Sequence, residues 1–108
     1  MQQKRWVEAC GTQDVAESAI VERKVDGHEV VLMRQGDRFY AAQAVCPHMD
    51  ERLCDGLLKK NRLICTKHLW QWDIESGQAL GAAEKPLMMY PTRVEGSLVY
   101  VGLEPENS

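Results

Sequence analysis

Cys46-Pro47-His48 and Cys65-Thr66-Lys67-His68 are separated by sixteen residues, and their interleaved order of Cys, His, Cys, His is the pattern in this chain best able to do chemistry. Thiolate sulfur and neutral imidazole nitrogen are donors suited to iron and to zinc. In one reading the two cysteines hold one iron of a [2Fe–2S] cluster and the two histidines hold the other. Thiolates then neutralise much of the charge on one ferric ion, and the neutral imidazoles leave the cluster less negative and easier to reduce than an all-thiolate version. Such a site moves single electrons. In the other reading the four side chains surround one tetrahedral zinc in a structural or binding module. The spacing favours the cluster: common zinc modules pair like ligands in each half-site, whereas here each short segment supplies one ligand of each kind.

Four donors in fixed geometry need a rigid scaffold on either side of each segment. Turn signals recur at Asp26-Gly27, Gly36-Asp37, Lys60-Asn61, Ser76-Gly77 and Glu95-Gly96, each between stretches rich in β-branched, aromatic or alternating apolar residues. This rhythm predicts strands over 5–9, 19–25, 28–34, 38–45, 62–66, 70–74, 88–94 and 97–103. One helical turn is expected over 14–18, and no segment keeps apolar residues at helical spacing for three turns. The fold class is therefore all-β, an antiparallel sandwich or barrel with both ligand pairs at hairpin ends. Residues 1–108 are read as one domain, with 105–108 a frayed tail.

Charge and composition narrow the function. Thirteen basic against sixteen acidic residues give a net charge of −3, and with no basic cluster nothing attracts a phosphate backbone, so nucleic acid is not an expected partner. The N-terminal residues lack the apolar stretch of a signal peptide, and no window approaches the ~18 apolar residues that span a bilayer. No membrane partner and a cytoplasmic location are expected. Of the four cysteines, Cys10 reads as a small core residue and Cys54 falls in the first ligand loop; both are expected as free thiols. His28, beside the Asp26-Gly27 turn and without a cysteine in register, reads as a solvated strand residue. The chain has no Gly-rich dinucleotide loop and no nucleophile–base pair, so it reads as an electron carrier and not an enzyme.

The two-loop pattern C-x-H…C-x-x-H resembles the Rieske signature. Within that family, Cys46-Pro47-His48-Met49 and Cys65-Thr66-Lys67-His68-Leu69-Trp70 are most similar to the small ferredoxins of bacterial multicomponent aromatic (toluene-type) monooxygenases. The resemblance implies a Rieske-like sandwich of small antiparallel sheets, with two adjacent loops at one tip gripping one [2Fe–2S] cluster. Cys46 and Cys65 would bind the inner iron, and His48 and His68 the outer. It further implies a carrier taking one electron from an NAD(P)H-dependent flavoprotein reductase and passing it to a terminal oxygenase, a di-iron aromatic monooxygenase; a monomer is the default expectation for a carrier of this size. A ring-hydroxylating dioxygenase ferredoxin or a nitrite reductase small subunit are the alternatives.

The resemblance extends to details around the cluster. Where respiratory relatives place Ser and Tyr hydroxyl donors, this chain has Trp70 and Trp72, which implies a potential toward the bottom of the Rieske span of roughly −150 to +300 mV. Glu51 and Lys67 occupy the positions of a disulfide found in those relatives. Pro86 resembles the proline loop that covers the cluster. Trp70 and Trp72 share one strand face, either packed inside or, for Trp70, offered to a partner; Met49, Asp50 and Glu51 stand beside the expected docking patch.

Overall fold

The computed structural model describes residues 5–45, 56–65, 70–81, 83 and 85–103. Among them eleven strands form three small antiparallel sheets. The first pairs β1 (Arg5–Gly11), β11 (Leu98–Leu103) and β10 (Thr92–Glu95); the second pairs β2 (Ile20–Val25), β3 (His28–Gln35), β4 (Arg38–Gln43) and β9 (Met89–Tyr90). The third orders β5 (Leu57–Lys59), β6 (Arg62–Ile64), β7 (Gln71–Asp73) and β8 (Ala79–Leu80).

The hairpins follow from local turn chemistry. Asp26-Gly27 and Lys60-Asn61 each have two consecutive positive φ angles, the geometry of the two-residue type I′ turn that matches strand twist. Gly36 takes φ 63° at the first position of the β3–β4 turn, and Gly96 takes φ 61° in the β10–β11 turn, which spans Gly96-Ser97, one residue later than the sequence suggested.

The second sheet is the middle layer, and β3 shows why. His28–Gln35 contains the unbroken apolar run Val30-Val31-Leu32-Met33, every member fully buried. Successive side chains point to opposite faces. Val31 and Met33 therefore join one core with Ala42, Leu58, Leu63, Trp72, Ile74 and Leu87. Val30 and Leu32 join a second with Cys10, Val15, Val25, Val99, Val101 and Leu103. A strand apolar on both faces is what sits between two layers.

Several expectations need correction. The stretch 88–94 is two strands in two sheets, Met89–Tyr90 and Thr92–Glu95, because Pro91 has no N–H to donate to a ladder. Strands β5 and β8 were not anticipated; three and two residues are too short to show alternation. The helical turn is a 3-10 turn at Thr12–Asp14, earlier than 14–18, where the Asp14 carboxylate accepts the Gly11 N–H at 2.8 Å. Of the strands that flank the two candidate segments in sequence, β6 and β7 are paired neighbours, whereas β4 and β5 belong to different sheets; the expectation that both candidate pairs fall at hairpin ends concerns residues that lie, apart from Cys65, outside the described ones.

Candidate metal centre

Of the four sequence-predicted ligands, Cys65 is within the described residues; Cys46, His48 and His68 lie outside them, as do Met49, Asp50, Glu51, Cys54 and Lys67. Cys65 follows β6 directly, and its N–H donates to the Trp70 carbonyl at 2.8 Å. With Ile64 paired to Gln71, this bond extends the β6–β7 ladder by one step and closes the loop that carries His68. The ladder therefore fixes the two residues, Cys65 and Trp70, that flank the second candidate ligand segment.

Cys65 is 3% exposed and belongs to the apolar cluster of Val31, Ala44, Leu58 and Trp70. Cysteine sulfur is a soft donor that suits an iron or zinc ion. A buried sulfur donor at the foot of a ladder-closed loop fits the inner, thiolate-bound iron of a [2Fe–2S] cluster.

On the other side, Ala44 donates its N–H to the Glu29 carbonyl at 3.2 Å, and the Gln43 side chain donates to the Val45 carbonyl at 2.7 Å. These bonds hold the chain up to the residue before Cys46. The segment around Pro86 lies beside it, tied by Met88 to Gln43 and by Lys85 to Trp72.

Trp70 and Trp72 are both buried, at 6% and 0% exposure, with ring centroids 6.1 Å apart and edge-to-face at 66°. They are packing residues, and the docking role considered for Trp70 is not supported. The Trp72 indole N–H is engaged by the Lys85 carbonyl at 2.9 Å, so it does not replace the missing hydroxyl donors to a cluster sulfur. Cys10 is the small core residue expected; burial, with Asp14 adding repulsion, pushes its thiol pKa up. His28 is exposed.

A groove of about 530 Å³ lies elsewhere, lined by Arg38, Tyr40, Glu75, Tyr90 and Val94. It opens at the start of β4, and the ligand loop leaves from the other end of that strand. Sequence reading saw no basic cluster, yet the β5–β6 hairpin gathers exposed Lys59, Lys60 and Arg62 around a groove of about 340 Å³. It also missed Gln43, whose signal was a lone amide among the small apolar residues leading to Cys46.

The Rieske [2Fe-2S] domain model matches residues 5–91. The chain belongs to that family. This Rieske chain is 36% identical over 93% of its length to the ferredoxin component of an alkene monooxygenase system from Xanthobacter autotrophicus, covering 83% of that protein. It is 39% identical over 83% of its length to a methanesulfonate monooxygenase ferredoxin subunit from Methylosulfonomonas methylovora, covering 74% of it. In three dimensions it matches the ferredoxin of carbazole 1,9a-dioxygenase from Nocardioides aromaticivorans with a TM-score of 0.83 at 24% identity, over 89% of this chain and 95% of that one. The all-β sandwich of small sheets expected for a Rieske domain is the fold observed. Among the described residues no helix is long and apolar enough to cross a membrane.

Proposed function

We propose that this protein is the electron-carrying ferredoxin of an oxygenase system, taking one electron from an NAD(P)H-dependent flavoprotein reductase and delivering it to a terminal oxygenase. The observation that carries the reading is the β6–β7 ladder ending in buried Cys65, its loop closed by the Cys65–Trp70 bond, in a chain of the Rieske family whose relatives are named ferredoxin components. Cys46 and Cys65 hold the inner iron, and His48 and His68 the outer. When bound, the cluster accepts and releases single electrons. The protein chain itself fixes the ligands, surrounds the inner donor with apolar side chains and presents a surface for transient docking.

A mono-oxygenating partner is favoured, because the relatives at 36% and 39% identity serve monooxygenases. Exposed Leu57 and Met88 flank the approaches to the ligand loops and supply apolar area for a small, short-lived interface. The protein acts as a monomer in the cytoplasm, with residues 1–108 forming one domain.

Purified protein tests this directly. Iron and acid-labile sulfide in equal amounts, a red-brown colour and a reduced-state electron paramagnetic resonance spectrum of low average g are expected. Zinc in a colourless protein would exclude the reading. Stopped-flow reduction by a flavoprotein reductase, followed by oxidation on mixing with the oxygenase, tests the two transfers. A midpoint in the lower part of the roughly −150 to +300 mV Rieske span is expected, and a value well above zero contradicts it.

A further inference from the structure

Gln43, the last residue of β4, joins three parts of the chain. Its main-chain N–H donates to the Met88 carbonyl at 2.9 Å. Its side-chain Oε1 accepts the Met88 N–H at 2.8 Å, and its Nε2 donates to the Val45 carbonyl at 2.7 Å. Val45 directly precedes Cys46, and Met88 lies two residues beyond Pro86. One amide, with an acceptor at one end and donors at the other, thus satisfies backbone groups of two separate segments.

The segment bonded to Gln43 is itself fixed. The Lys85 carbonyl accepts from Trp72 Nε1 at 2.9 Å, and the Leu87 N–H donates to the Gly77 carbonyl at 2.8 Å. Trp72 and Gly77 bind this segment to the third sheet, while Gln43 binds it to the middle sheet. Among the described residues Gln43 is the one side chain bonded both to this segment and to the residue before Cys46.

We propose that Gln43 is a positioning residue that locks Val45, the residue leading into the proposed ligand Cys46, to the Pro86 segment, so that the start of the proposed ligand segment is held in one position. The inference rests on the ligand assignment proposed above. A carboxylate here keeps the acceptor for Met88 but turns a second lone pair toward the Val45 carbonyl; an aliphatic side chain loses both bonds and leaves both backbone groups without these partners.

The test uses cluster-loaded full-length protein. Gln43→Leu and Gln43→Glu are compared with wild type and with Val101→Ala, a truncation in the second core that removes no bond near the ligand loops. Three quantities are read: the rate of cluster loss to a chelator at neutral pH, the g values of the reduced state and the melting temperature. Both Gln43 variants are expected to lose the cluster about tenfold faster, the lower end of what losing a direct partner of a metal ligand costs, because Gln43 acts through the backbone next to Cys46, with shifted g values. Val101→Ala is expected to lower the melting temperature while keeping the wild-type loss rate and g values. Wild-type loss rates and g values in both Gln43 variants overturn the proposal, and so does equal acceleration in Val101→Ala. If Gln43→Leu fails to fold, Gln43→Glu decides. Wild-type protein without iron and labile sulfide would instead remove the ligand assignment itself.

Discussion

Trp72 donates its indole N–H to the Lys85 carbonyl at 2.9 Å across a gap of thirteen residues, so the largest fully buried side chain among the described residues also anchors the segment that contains Pro86. Packing and hydrogen bonding are separable here. Trp72→Phe keeps most of the aromatic volume and strands a carbonyl, with an expected cost of about 1–3 kcal/mol. Trp72→Ala adds a cavity and is expected to cost about 3–5 kcal/mol. Urea unfolding of the two variants checks the order; equal losses would mean that the indole bond contributes all of the effect.

Two causes that can be told apart favour glycine at position 77. Its φ of +80° disfavours any side chain, and a Cβ there would clash with the Leu87 carbonyl oxygen. Gly96 has φ +61° with open space around it. Gly96→Ala is therefore expected to cost about 1–2 kcal/mol from backbone strain alone. Gly77→Ala must also displace the 85–88 segment and is expected to exceed that cost. Melting temperatures of the two variants give the comparison.

Alkaline pH should weaken the fold through Cys10. Burial raises its folded-state pKa, so between the ordinary thiol range of about 8–9 and the higher folded value the unfolded chain has lost a proton that the folded chain keeps. The stabilising difference is complete below the unfolded pKa and is lost as pH rises through the folded one. Cys10→Ala is expected to flatten the fall in stability above about pH 8, as read by denaturant unfolding at stepped pH; an unchanged slope would assign that fall to other groups.

The ligand set predicts a clean division among the cysteines and histidines. Cys46→Ser, Cys65→Ser, His48→Ala and His68→Ala are each expected to abolish or sharply reduce bound iron and visible absorption. Cys10→Ala, Cys54→Ser and His28→Ala should retain both. Retention of a full cluster by any of the first four would reassign that ligand.

How much of this was legible beforehand depended on how local the cause was. Asp26-Gly27, Gly36-Asp37 and Lys60-Asn61 were readable because two adjacent residues set the backbone angles of each turn. The family was readable because the ligand types and their short spacings lie within two brief segments. The split of 88–94 was less so: Pro91 was visible, but the pairing of Tyr90 with Ala41 and of Thr92 with Val101 was not.

The chain's own order of residues determined its turns, its all-β character and the four side chains proposed to hold metal, since each of these depends on neighbours a few positions apart. Tertiary structure decided the rest. Alternation along β3 says that Val30 and Leu32 share one face and Val31 and Met33 the other, but not which sheet each face meets. Gln43 and Met88 are forty-five residues apart, and their bonds exist because β9 pairs with β4, a choice made by the burial of whole sheet faces and written in no single segment.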